Sequence, residues 1–363
     1  MPTNYSDYLG LEKLLALQGG LAGDERTLAP AELLFIVVHQ VDELWFKLAL
    51  HELERVRDVF ARDLVDEQEI APAASGLRRV VKTFELAAAH FALMETMSPR
   101  DFLEFRNKLA PASGFQSPQF REVEMVLGLE AKGRVKLAGQ DVMDAFKPKA
   151  GIAGWAEQKV AARLADRRPT LKAAIEKWLA RTPIDGSTPA TGDDAARVDA
   201  FLGRYLACHG REVDAALAQA QSSGIADAEV AALYAAEKEA ARQFLRDGDE
   251  VRADPLRRRV RAAALFIELY RELPLLSWPR EVLDLVIQLE QAFLVFRQRH
   301  ARMVERMIGR RVGTGGSDGV HYLDATALAY RVFDDLWKVR RLLVPRGAAP
   351  PLSHAALYDF RTS

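Results

Sequence analysis

Towards the end of the chain the apolar positions fall into step with an α-helix. Val286, Leu289, Phe293, Phe296, His300, Met303 and Met307 follow one another at alternating intervals of three and four, the spacing that keeps side chains on one helical face. His300 is the one polar member of that stripe. An imidazole on a buried face must hydrogen-bond or bind a metal, because leaving it unsatisfied costs on the order of 1–3 kcal/mol. A core histidine bonded to a carbonyl and a metal ligand both satisfy the spacing.

The same periodicity predicts helices over residues 31–63, 77–97, 119–129, 170–180 and 256–273, with Pro30 in the first turn of the first. Phe35 and His39 share a face of that first helix at i and i+4, with Leu34, Val38 and Trp45 nearby. Residues 195–245, rich in alanine and charge, predict two antiparallel helices broken near Ser222-Ser223-Gly224, in a solvated excursion. Pro279 starts the His300 helix, and residues 325–343 form the last. No convincing series alternates with period two, so the expected fold is all-α: a helical bundle with an inserted helical excursion. One domain spans 1–363, with an arm (1–30), a first block of helices (31–150), the insertion (151–250) and the His300 helix, glycine loop and last helix (255–345).

Two irregular stretches carry candidate chemistry. After the His300 helix comes Gly313-Thr314-Gly315-Gly316-Ser317-Asp318-Gly319. It lacks the lysine of a phosphate-binding Walker loop and the spacing and preceding strand of a dinucleotide fingerprint. Its glycines and threonine let backbone N–H groups and a hydroxyl approach a ligand, although a plain interhelical loop reads the same way. Arg106 stands between Phe105 and the turn-rich Pro111-Ala112-Ser113-Gly114-Phe115-Gln116-Ser117. Its guanidinium either clamps a carboxylate through two parallel hydrogen bonds or pairs with Glu104 or Asp101 at the surface.

Composition narrows the class. The 363 residues are 49% hydrophobic and 28% charged, a globular balance with room for a sizeable core. Lys+Arg 50 against Asp+Glu 51 leaves a net charge of -1, which supports neither nucleic acid nor an anionic membrane as partner. A single cysteine, Cys208, excludes an internal disulfide. The residues Met1-Pro2-Thr3-Asn4-Tyr5 lack a basic and then apolar leader pattern, and no apolar run is long enough to span a bilayer. A cytoplasmic protein is expected. HExxH, CxxC and paired Glu-x-x-His motifs are all missing. A lone histidine on an apolar stripe suits a planar macrocycle whose other four ligands come from the porphyrin. A haem enzyme, a haem or small-molecule binder without turnover, and a helical scaffold with two core histidines remain open on this ground.

Taken together, several segments resemble the tryptophan 2,3-dioxygenase family. They are Tyr5-Ser6-Asp7-Tyr8-Leu9, Phe35-Ile36-Val37-Val38-His39-Gln40, Glu43-Leu44-Trp45-Phe46-Lys47, Phe105-Arg106 with the 111–117 turn, Arg299-His300, Gly313-Thr314-Gly315-Gly316-Ser317 and His321-Tyr322-Leu323. Their order and the step from His300 to Thr314 are the family's. The resemblance is firm over roughly residues 5–130 and 255–345.

It implies a homotetramer of helical subunits, each holding haem b, that adds both atoms of O₂ across the indole C2–C3 bond of L-tryptophan to give N-formyl-L-kynurenine. By the same resemblance His300 is the axial ligand to iron, and Arg106 binds the substrate carboxylate. Thr314 contacts the carboxylate and ammonium. His39 accepts a hydrogen bond from the indole N–H, as an orienting partner rather than an obligatory base. Phe35 packs on the ring, Ser113 and Gly114 line the distal haem face, and Tyr5, Tyr8 and Leu9 enter from a neighbouring subunit through an exchanged arm. The chain departs from the family pattern at Asp42, Phe102, Phe296 and Asp324, and these changes leave open an oxygenase acting on a different or substituted indole or aromatic amino acid.

Overall fold

The computed structural model describes residues 4–109, 114–130, 134–136, 142–146, 154–225, 227–309 and 319–359. Among them the elements are helices, and the single β-feature is an isolated bridge between Ile184 and Ser187. The all-α expectation holds. No helix among the described residues is long and apolar enough to cross a membrane. The chain divides into two compact units. One comprises Met1–Glu54, Arg78–Arg168 and Leu289–Val332; the other comprises Arg55–Leu77, Pro169–Gln288 and Phe333–Ser363.

The first unit draws on α1 (Tyr5–Leu9), α2 (Leu11–Leu14), α3 (Glu32–Phe60), α4 (Glu67–Met94), α5 (Pro99–Leu109), α6 (Pro118–Leu127), α7 (Trp155–Ala165), α13 (Ser277–Ile308) and α14 (Gly319–Ala329). Helix α4 begins ten residues before the expected start. The Asp66 carboxylate accepts from the Gln68 N–H at 3.0 Å, and Pro72, only in the second turn, removes a single ladder bond. Helix α5 was not expected. Ser98 and Asp101 make it by capping each other, Asp101 N–H to Ser98 Oγ and Ser98 N–H to Asp101 Oδ2, both 3.2 Å, with Pro99 in the first turn. Ser117 and Pro118 open α6 by a similar device, with the Phe120 N–H donating to Ser117 Oγ at 3.1 Å.

Phenylalanines from α3, α4, α6 and α13 form the core of this unit. Phe84 is fully buried against Phe46 (6.2 Å between centroids), Phe293 (4.9 Å) and Phe296 (5.8 Å). Phe120 packs on the same three-ring group from α6, and the edge-on contacts add to the area each ring buries. Beside the rings lies a buried carboxylate, Glu124, which accepts from Arg121 at 2.8 Å, Arg134 at 2.7 Å and Arg297. The Arg297 guanidinium is stacked over Phe293, Phe120 and Tyr330 at 4.7, 5.0 and 4.6 Å.

The last expected helix is broken. Helix α14 ends at Ala329, and α15 (Asp334–Arg341) follows. The Val332 N–H donates to the Glu290 carboxylate instead of continuing the ladder, and Tyr330 accepts from the Val135 N–H at 3.1 Å. Tertiary hydrogen bonds here outweigh helix propensity.

The second unit is built on α12 (Pro255–Leu269), buried from Arg259 to Leu269, with α8 (Leu171–Leu179), α9 (Asp194–Ser222), α11 (Asp249–Ala253) and α15 around it. Arg261 holds Asp335 through two bonds of 2.9 Å and Glu250 at 2.6 Å. The expected antiparallel pair is α9 and α10 (Ala228–Arg242), with Lys238 reaching back to Asp214 at 2.6 Å. Only α10 is a solvated excursion. Val198, Phe201, Leu202, Tyr205 and Val213 of α9 are core.

Burial alone would raise the Glu124 carboxyl, but the guanidiniums of Arg121, Arg297 and Arg134 outweigh it and hold it below its ordinary 4.5. Its contribution to stability is therefore complete above the ordinary glutamate range and fades as pH falls through the depressed folded value. Glu124→Gln, which leaves three buried cations without their counter-charge, is expected to cost about 3–5 kcal/mol and to flatten the acid side of the stability profile. Denaturant unfolding from pH 3 to 7 checks both (working range of about these values), and a variant as stable as the wild type would show the network to be dispensable.

Candidate functional site

A cavity of about 460 Å³ opens in the first unit between α3, α4, α5, α6 and α13. It gathers Phe35, His39, Arg106, Gly114 and His300 from among the residues expected at a site. Ser113, Thr314 and the 313–318 part of the glycine loop lie outside the described residues. Tyr5, Tyr8 and Leu9 do not line the cavity of their own chain. They sit on α1, capped by Asn4 Oδ1, which accepts from the Asp7 N–H, and closed by Gly10 at φ 61°. Tyr5 and Tyr8 are 75% and 80% exposed, an unusual state for large aromatic groups.

The two cavity histidines differ in one decisive respect. His39 Nδ1 is 2.7 Å from the Phe35 carbonyl oxygen. A carbonyl only accepts, so Nδ1 carries the proton. Burial pushes the imidazole below its ordinary value and keeps it neutral. Its Nε2 is then a lone-pair acceptor on the cavity wall. His300 makes no hydrogen bond among the described residues. Its ring lies parallel to Phe91, 5.2 Å away at 10°, with Phe296 at 6.2 Å. Burial, reinforced by His39, Arg297 and Arg121, pushes it down to about 3. A neutral imidazole without a carbonyl partner is the form that ligates a metal.

The residues fit haem. Among the described residues no three His, Cys, Asp or Glu side chains gather to hold a metal ion, so a metal on His300 needs its remaining ligands from a macrocycle. The wall beside His300 is Phe91, Phe296, Met303 and Met307, the apolar surface a porphyrin face requires.

At the other end, Phe35 lies against His39 (4.1 Å), Phe105 (5.5 Å) and Phe102 (6.0 Å), and Arg106 follows Phe105 on α5. Lys108 ties this helix to α3 by donating to Glu32 at 2.7 Å, while the Ala29 N–H takes the same carboxylate at 3.0 Å. Among the charged cavity residues, Arg121 and Arg297 escaped the sequence reading, in which Asp42 figured only as a departure from the family pattern and Glu43 only within a matching segment. Arg121 and Arg297 each follow a phenylalanine in the chain, but it is the Phe120 ring that covers both guanidiniums, with Phe293 and Tyr330 also against Arg297. Of the departures, Phe296 and Phe102 pack as plain rings, and Asp324 binds Arg302 at 2.6 Å, joining α14 to α13.

Comparison with known proteins agrees with this geometry. The family described as tryptophan 2,3-dioxygenase matches residues 1–343. A tryptophan 2,3-dioxygenase of Sorangium cellulosum is 50% identical over 99% of this chain and 87% of its own length. Tryptophan 2,3-dioxygenase 2 of Ralstonia nicotianae is 50% identical over 99% of this chain and 98% of its own. A tryptophan 2,3-dioxygenase of Alteromonas mediterranea is 33% identical over 97% and 95%. The chain belongs to the tryptophan 2,3-dioxygenase family, oxidoreductases that use haem and O₂ on tryptophan.

Proposed function

We propose that the cavity holds haem b on His300 and binds L-tryptophan beside it, opening the indole C2–C3 bond to give N-formyl-L-kynurenine in the cytoplasm. The observation that carries the site assignment is the contrast between the histidines, one bonded to a carbonyl and one with no hydrogen bond among the described residues. When bound, the haem supplies the activation of O₂, and both oxygen atoms end in the product without any net reductant.

The chain's own groups do the rest. The planar fork of Arg106 receives the substrate carboxylate through two hydrogen bonds. His39 Nε2 accepts the indole N–H, fixing which edge of the ring faces the iron. Because the indole N–H is very weakly acidic, His39 orients and polarises it. Phe35 covers the ring, and the phenylalanine walls keep water from the reacting centre. Gly114, with Ser113, lines the distal haem face, and Thr314 meets the carboxylate and ammonium. The exposed Tyr5, Tyr8 and Leu9 fit an arm that completes a neighbour's cavity in a homotetramer.

The deciding experiment is the visible spectrum of the purified protein. A Soret band perturbed by L-tryptophan is expected, with N-formylkynurenine absorbance growing under O₂. His300→Ala should lose haem or hold it weakly; an unchanged histidine-ligated spectrum would rule the ligand assignment out. Arg106→Ala should cost about 3–5 kcal/mol in kcat/KM by leaving a carboxylate unpaired in a dry pocket. His39→Ala, facing a neutral N–H, should cost about 1–3 kcal/mol. Tryptamine separates the roles: an Arg106→Ala variant that loses as much on tryptamine as on tryptophan has lost structure, not a carboxylate clamp. Deleting residues 1–12 should raise the KM for tryptophan while sparing haem content, whereas a truncated protein with wild-type KM would confine the arm to local packing.

A further inference from the structure

Phe35, His39, Asp42 and Phe46 follow at the three-and-four spacing of one helical face, and all four line the cavity. Asp42 is a carboxyl in an otherwise aromatic stripe, 7% exposed. Its only hydrogen-bond contact among the described residues is a long one, Oδ1 to His90 Nδ1 at 3.4 Å. Its other oxygen has no partner among them. The adjoining Glu43 also lines the cavity, but it accepts from Gln119 Nε2 at 2.8 Å. Arg121 and Arg297 on the same cavity are committed to Glu124. Burial, and then Glu43, push the Asp42 carboxyl up to about 7, so near neutrality it both donates and accepts. A buried carboxyl with unused hydrogen-bonding capacity favours a ligand that supplies the partner.

Position along α3 says which part of a ligand that is. The Phe35 end packs on Phe102 and Phe105, next to Arg106. Asp42 lies seven residues further on, about 10 Å along the axis and one turn beyond His39. A substrate anchored by its carboxylate at Arg106 and its N–H at His39 turns the benzo carbons next to the nitrogen towards Asp42. The geometry points to Asp42 as a specificity-determining residue that receives a hydrogen-bonding substituent, a hydroxyl on that edge of the indole, so that ring-hydroxylated tryptophans are substrates of this chain. This assignment rests on the tryptophan-cleaving reading above.

The test uses the haem-loaded enzyme with L-tryptophan, with 6- and 7-hydroxy-L-tryptophan, and with the size-matched methyl compounds at those two ring positions. At one or both positions the hydroxy compound should exceed its methyl counterpart in kcat/KM by about tenfold, the worth of one hydrogen bond. Asp42→Leu should erase that ratio, and Asp42→Asn, which also donates and accepts, should keep it. Hydroxy and methyl compounds cleaved alike by the wild type would overturn the assignment, and this comparison stands even if Asp42→Leu does not fold. So would a folded Asp42→Leu that retains the preference. A wild type that binds haem but leaves L-tryptophan intact would overturn the function proposed above, and the assignment with it.

Discussion

The buried carboxylate of Glu124 is the charge on which the cavity's walls depend. Three guanidiniums from three separate segments converge on it, and two of them, Arg121 and Arg297, also form part of the cavity lining. Desolvating so much charge is unfavourable unless geometry and hydrogen bonds offset it. Here the arginines are further held by aromatic faces, Phe120, Phe293 and Tyr330. Because Arg297 stands one turn before His300 on α13 and Arg121 stands on α6, the charge that fixes the packing also fixes where the imidazole points. The excess positive charge lies close enough to help keep His300 neutral. Packing and the neutrality of the imidazole thus share one cause.

The site combines a histidine that is already locked with one that is left open. His39 is locked by the Phe35 carbonyl, which sets its tautomer before any ligand arrives. Arg106 is positioned by a helix with a local cap and a long-range tie from Lys108 to Glu32 on α3. Among the described residues His300 is held by ring contacts alone. Rigid donors and acceptors around an imidazole with no hydrogen bond among the described residues describe a cavity organised in advance of any ligand.

The parts of this arrangement legible in the sequence were those with a local cause. The stripe from Val286 to Met307 and the pair Phe35 and His39 follow from helical periodicity, and the motif order placed Arg106 and Gly114. What escaped had a distant cause or was read by composition alone. Helix α5 is polar on average, and only its Ser98–Asp101 cap betrays it. The break before α15 depends on Glu290, some forty residues away (a tertiary override of roughly the kind propensity never anticipates). The buried half of α9 carries its apolar groups within an alanine- and charge-rich stretch. Asp42 stood out only as a departure from the family pattern and Glu43 only within a matching segment, and the cavity gave both a side.

Helix α13 runs 32 residues without interruption to Gly309, which closes it in the left-handed region at φ 61°. Each residue of an α-helix turns the chain by about 100°. One residue gained or lost between Phe293 and His300 would therefore swing the imidazole off the cavity and bring Arg299 or Ala301 into its place. The aromatic cluster and the Glu124 network would hold the preceding turn where it is, so the error could not be absorbed upstream. Length variation in this chain has its room in the turns between helices. Inside α13 the residue count is itself part of the active site, as fixed as any side chain in it.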